Sequence, residues 1–340
     1  MKRQVTAALC LALLAAACER PPVESVQRGY RGLGMEQIFN PRTVQATAAA
    51  NQLPAVVPAV EGGGPTASSV FKNVTVLGDL SVAEFTRTMV AMTNWIAPPE
   101  QGCLFCHAAG EELSSDKLYT KVVARRMIEM TRHINADWKA HVADTGVTCY
   151  TCHRGNAVPP QVWFRVPSPP SALGPAGNHA GQNTPAKYAN MSSLPYDPLT
   201  PFLDERNEIR VVATSPLPGN DYSSIKQAEW TYSLMLNMSE ALGVNCTYCH
   251  NTRSFMSWDA STPARATAWY GIRMVRDLNG AFLGPLAPTL PASRHGPLGD
   301  GPKVDCATCH LGVYKPLFGA SILKDYPAFA PATTASVASK

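Results

Sequence analysis

Charge is scarce in this sequence. Asp, Glu, Lys and Arg make up 16% of the 340 residues, and 29 basic against 25 acidic side chains leave a formal net charge of +4. An excess that small builds no basic surface of the kind nucleic acid requires, so no nucleic-acid partner is expected. Sustained alternation of apolar and polar residues is also missing, which argues against a sheet-rich fold. Long apolar runs are confined to the N-terminus, and no later stretch is long and apolar enough to span a bilayer. What is plentiful is Pro (29) and Gly (24), the residues of irregular connections.

The N-terminus, MKRQVTAALCLALLAAACERPP, has Lys2 and Arg3 ahead of an uncharged run from Val5 to Ala17. That run is short for a membrane span and suits the apolar part of a signal peptide, here residues 1–17. It ends in small residues directly before Cys18, a placement that resembles the bacterial lipoprotein signal and implies lipidation of Cys18. The body of the chain is then expected to be exported and anchored by lipid.

Ten cysteines are present; Cys10 and Cys18 belong to the leader. The other eight form four Cys-x-x-Cys pairs: Cys103/Cys106, Cys149/Cys152, Cys246/Cys249 and Cys306/Cys309. A histidine follows each pair at once: His107, His153, His250 and His310. One such motif arises by chance in roughly one chain in a hundred of this composition, so four do not. Zinc would use the thiols in two all-cysteine sites, but it leaves the four adjacent histidines unexplained. Haem c accounts for both: two thiols add to the porphyrin vinyl groups, and the next residue reaches the iron. Four covalently bound haem c groups are expected, with no cysteine left over for disulfides.

A sixth ligand decides between electron transfer and small-molecule chemistry, because an open iron binds substrates. Helical stretches precede three of the motifs, and each carries two methionines at i, i+3: Met89 and Met92, Met127 and Met130, Met235 and Met238. The first stretch opens on a capping-box pattern, Ser81 with Glu84, and stops at Pro98-Pro99; the third stops at Gly243. The spacing does not choose within a pair. The fourth motif has no methionine closer upstream than Met274, across a Pro/Gly-rich stretch. Four histidines lie outside the motifs: His133, His141, His179 and His295. Arg125, Arg126, Arg265, Arg273 and Arg276 flank the motifs and are candidates to pair with haem propionates.

The chain also repeats. FTRTMVAM (85–92) parallels WTYSLMLNM (230–238), VARRMIEM (123–130) parallels YGIRMVRD (270–277), and GVTCYTCHRG (146–155) parallels KVDCATCHLG (303–312). The expected fold is mainly α with long irregular loops, a multihaem c-type cytochrome of two internal repeats holding two haems each. The expected organisation is a signal peptide (1–17), an N-terminal anchor and extended segment (18–69), a first dihaem repeat (70–165), a Pro/Gly-rich connection (166–224), a second dihaem repeat (225–328) and a mobile tail (329–340).

The strings VVARRMIEMTR, TGVTCYTCHRG, GIRMVRDLN and KPLFGASILKDYP, with RGYRGLGM at 28–35 and the position of Cys18, are far more specific than the haem motifs. In these the chain resembles the tetrahaem cytochrome subunit of purple bacterial photosynthetic reaction centres, from about residue 28 to 328. The resemblance implies three His/Met haems, with His107 and Met89, His153 and Met127, and His250 and Met235. It implies one His/His haem, with His310 and His141. It also implies a role: electrons pass from a soluble periplasmic donor, a cytochrome or a high-potential iron-sulfur protein, to the photo-oxidised bacteriochlorophyll pair of the L and M subunits. The subunit would sit on the periplasmic face of the photosynthetic membrane and would be an electron carrier, not an enzyme.

Overall fold

The computed structural model describes residues 24–28, 35–167, 194–209, 211 and 225–331. The expected signal peptide, Cys18, His179, most of the 166–224 connection and the end of the tail lie outside the described residues.

The architecture is mainly helical. Two N-terminal features depart from the sequence expectation. Glu24–Arg28 (β1) and Met35–Phe39 (β2) pair as an antiparallel hairpin, Glu24 opposite Phe39. Five-residue strands are too short to display a period of two, so the pattern carries no trace of them. Within the stretch expected to be extended, Pro41–Ala50 (α1) is a helix. Its start is chemically plain: the Asn40 side chain accepts from Arg42 N at 3.0 Å, and Pro41 takes the first helical position, where no N–H is needed.

The helices that precede the motifs form where the sequence places them. Val82–Ile96 (α2) begins with a complete capping box: Glu84 N donates to Ser81 Oγ and Ser81 N donates to the Glu84 carboxylate, both at 3.2 Å. Tyr119–Asp137 (α3) is followed, after a break at Trp138, by the single turn Lys139–Val142 (α4), which carries His141. Ile225–Leu242 (α6) ends at Gly243, whose φ is +62°. A Cβ at Gly243 would meet the Gly312 carbonyl oxygen at 2.1 Å, so glycine is required there by both conformation and close approach. Pro263–Asp277 (α7) opens with proline at its first position. The motif segments Cys149–His153 (α5) and Cys306–His310 (α8) are short helices of their own.

Two apolar clusters form the core. One is built on Trp163, Phe202, Trp230, Leu234, Ile272 and Val275, so it joins α6 and α7 to the 194–209 segment. The other joins α2 and α3 to the C-terminal segment. Trp95 packs edge-on against Tyr326, ring centres 4.7 Å apart, and also faces Phe329 at 6.0 Å. Burial of each such ring stabilises the fold by about 2–3 kcal/mol. Buried polar groups fasten the same return. Asn135 Nδ2 donates to the carbonyls of Val147 and Phe329, and Arg87 donates to Val57, Pro58 and Asp325 carbonyls while lying 4.2 Å over the Tyr326 ring. The segment around Tyr326 and Phe329 therefore closes over the N-terminal half.

Candidate functional site

The four motifs adopt two local forms. The first and third are 3-10 turns, Gly102–Phe105 and Cys246–Tyr248. The second and fourth are α-helical turns, and the reason is in their flanks. Asp305 with Thr308 makes an N-terminal capping box, and at the second motif Thr148 N donates to Thr151 Oγ1 at 3.0 Å. Arg154 and Leu311 then take left-handed conformations ahead of Gly155 and Gly312 and end each turn. On such a turn both cysteines and the histidine, at i, i+3 and i+4, face one way.

The imidazoles share one arrangement. Nδ1 of His107 donates to the Leu113 carbonyl at 3.0 Å. Nδ1 of His153 donates to Asn156, of His250 to Phe255 and of His310 to Val313, each at 2.9 Å. His141 does the same toward Thr267 at 2.9 Å. A carbonyl only accepts, so the proton sits on Nδ1 and the Nε2 lone pair is left for a metal, the arrangement that orients ligating histidines. Burial pushes all five below the usual imidazole pKa, His310 to about 4, which keeps them in the neutral, ligating form. His133 is different: Asp137 holds its Nδ1 at 2.7 Å and Asp277 its Nε2 at 2.6 Å, so neither nitrogen is available. His295 spends Nε2 on the Ala287 carbonyl.

The His141 and His310 ring centres lie 6.1 Å apart, with the ring planes inclined at 64°. Two imidazoles bound to opposite sides of one metal, at the roughly 2 Å metal–nitrogen distance of imidazole ligation, stand about 6 Å apart by the same measure. A cavity of about 980 Å³ opens beside them. The cysteines and histidines of the first, second and fourth motifs line it, as do Met89, Met92, Met127, Met130 and Met238. The third motif, Cys246, Cys249 and His250, lies outside that lining, and Met235 packs on the apolar cluster of α6 and α7.

Among the thiols, burial pushes Cys149 and Cys306 up to about 12 and Cys249 up to about 11, and raises Cys106 as well. These are apolar surroundings for neutral sulfur, unfavourable to zinc thiolates. Among the described residues, no three His, Cys, Asp or Glu side chains converge as a metal ion would need. Cys152 and Cys309 are paired as a disulfide, Cα atoms 4.4 Å apart. The sequence leaves no cysteine for such a pairing; a disulfide and a thioether are exclusive uses of one sulfur. The short Cα separation, with Arg154 Nη2 donating to the Cys309 carbonyl at 3.2 Å, sets the second and fourth motifs side by side.

The flanking arginines are mostly engaged by protein. Arg125 pairs with Asp116, Arg126 with Glu129, and Arg276 donates to the Phe202 and Asn207 carbonyls. Arg265 lies 4.1 Å over the Trp258 ring and Arg273 lies 4.6 Å over Trp269. Sequence reasoning passed over Arg154. Its Nη2 donates to Asn51 and to the Cys309 carbonyl, while Nε and Nη1 are buried with no hydrogen-bond partner. A buried cation with free donors beside the fourth motif fits the carboxylate of a propionate. Its place directly after His153 was the available signal.

Paired thiols, anchored imidazoles, an apolar cavity and a spare buried guanidinium together fit covalently bound haem. Comparison with known proteins agrees. The family model for the photosynthetic reaction centre cytochrome C subunit matches residues 19–330. The chain belongs to that family. It is 55% identical to the photosynthetic reaction center cytochrome c subunit of Rubrivivax gelatinosus, over 98% of this chain and 91% of that one. It is 56% identical to the subunit of Thermochromatium tepidum over 91% of this chain and 76% of that one, and 41% identical to that of Roseobacter denitrificans over 90% and 85%. As a reaction centre cytochrome c subunit, it is an electron-transfer component of photosynthesis rather than an enzyme. It carries covalently bound haem c and associates with the reaction centre, peripheral to the photosynthetic membrane. Among the described residues no helix is long and apolar enough to cross a membrane.

Proposed function

We propose that the chain carries four haem c groups, takes electrons from a soluble periplasmic cytochrome or high-potential iron-sulfur protein, and re-reduces the photo-oxidised bacteriochlorophyll special pair held by the L and M subunits. Haem supplies one-electron iron chemistry; the polypeptide supplies ligands, spacing and a dry environment. The paired cysteines of each motif provide the thioether links, including Cys152 and Cys309, which sit in the same Cys-x-x-Cys-His context as the other six. His107 with Met89, His153 with Met127, His250 with Met235 and His310 with His141 would hold the four haem irons. The observation that carries this reading is the set of five imidazoles with Nδ1 tied to a carbonyl, two of them with ring centres 6.1 Å apart.

Thioether sulfur from Met89, Met127 and Met235 stabilises ferrous iron, whereas imidazole from His141 favours ferric iron. The fourth site is therefore the low-potential step. Residues 70–165 and 225–328 act as two dihaem repeats, and Cys18, freed by removal of residues 1–17, anchors the subunit to the periplasmic face of the membrane. Flash spectroscopy on native membranes tests the role: haem oxidation is expected as the photo-oxidised pair is re-reduced. Re-reduction of the pair with no haem oxidation would overturn it. Intact mass reads the remainder, with four haems, no residues 1–17 and acyl chains on Cys18 expected; fewer haems or an unmodified Cys18 removes that part.

A further inference from the structure

This inference rests on the pairing of His141 with His310 proposed above. Thr267, Gly271 and Met274 lie at i, i+4 and i+7 on one face of α7 and line the central cavity. The His141 ring packs against that face. Thr267 holds it by the Nδ1 hydrogen bond, and a Cβ built on Gly271 would come within 2.6 Å of Cε1 and 2.9 Å of Nδ1. Moving the ring clear of that Cβ would stretch the Thr267 bond. Gly271 does not take a left-handed conformation, so the backbone does not require glycine here. Glycine also weakens a helix interior relative to alanine, so its presence needs another reason, and room for the ring supplies one.

The other repeat shows what this face looks like without the histidine. TKVVARRM (120–127) and TAWYGIRM (267–274) run in one frame, Thr120 with Thr267 and Met127 with Met274. Between them Ala124 stands where α7 has Gly271. Helix α7 has thus kept a methionine in the position that Met127 holds on α3, and Met274 lines the same cavity as His141. An imidazole and a thioether converge on one region. We infer that Gly271 decides between them: by leaving out one methyl group it admits the His141 ring and keeps Met274 off the fourth haem iron. Gly271 is a positioning residue, and through it the order of potentials in the chain is set.

The test uses the full-length, haem-loaded subunit, with redox titration, electron paramagnetic resonance, the far-red charge-transfer band of methionine-bound ferric haem, and haem content. Gly271→Ala is expected to load haem fully, lose the bis-imidazole signal, raise the potential of one haem toward the others and gain one methionine-bound haem. Adding Met274→Leu should cancel that gain and leave one haem open to carbon monoxide, while Met274→Leu alone should match the wild type. A Gly271→Ala protein that keeps its bis-imidazole haem at the wild-type potential overturns the inference. So does one that loads one haem fewer, or opens a haem without gaining methionine ligation, because the thioether must stand ready to replace the imidazole. His141→Ala separates the two readings. If it changes no potential and no spectrum, the assignment of His141 fails; if it changes the fourth haem while Gly271→Ala changes nothing, only the role of Gly271 fails.

Discussion

Arg154 places a charge where charge is costly. Burial pulls its pKa down to about 10, which still leaves the guanidinium protonated at neutral pH, and two of its nitrogens are buried without partners beside the fourth motif. A fixed positive charge there stabilises the reduced, electron-richer iron. Arg154→Met, which keeps the length and removes the charge, should lower the midpoint potential of the haem proposed at Cys306 and Cys309 and leave the most distant potential unmoved. A titration in which no potential falls would show that Arg154 is structural. Residues of this kind show how uneven legibility is. The motif histidines stand out by spacing alone, but His133 and His141 look alike in sequence. Only the fold reveals that Asp137 and Asp277 occupy both nitrogens of His133, while His141 keeps Nε2 free.

At the scale of elements, local chemistry was readable wherever it was self-contained. Ser81 and Glu84 complete their capping box within one turn, so α2 starts where the residues say. Ser81→Ala should cost about 1 kcal/mol and lower Tm by about 2 °C, while Ser81→Asp should keep most of the stability. Equal melting of wild type and Ser81→Ala would mean that α2 is held by packing alone. Since α2 carries Met89, fraying of its first turn should also broaden the titration of the first haem. The β1–β2 hairpin was not readable, because two five-residue strands hold no period and their partner is each other. The turn at α4 was equally hidden: four residues give no helical pattern, and its place is fixed by packing on α7.

The whole molecule should respond to acid. Five imidazoles, His310 buried and the other four partly so, are held below their ordinary pKa by desolvation, whereas in the unfolded chain they titrate near 6.5. Below that pH the unfolded state takes up protons that the folded state refuses. Stability is therefore full above about pH 6.5 and lost as pH falls toward about 4, the value to which burial brings His310. His310 alone accounts for roughly 3 kcal/mol over that window. Iron ligation acts in the same direction, since it too requires the unprotonated nitrogen. Denaturant unfolding between pH 7 and 4.5 measures this, and a flat profile would exclude it.

The sequence by itself determined the chemistry that is local. Cys-x-x-Cys-His needs only adjacent residues to offer two thiols and an imidazole to one group, and the caps and stops of α2 and α6 act within a turn. Those features fixed the cofactor class and the helical framework. What depends on distant parts of the chain was decided by the tertiary structure. The closure of Tyr326 on Trp95, the approach of the second motif to the fourth, and the meeting of His141 with Gly271 join residues more than a hundred positions apart. No spacing rule spans such a gap, because which surfaces meet is set by the packing of the whole core. Which histidine has a free nitrogen, and which glycine makes room for it, follows from that packing alone.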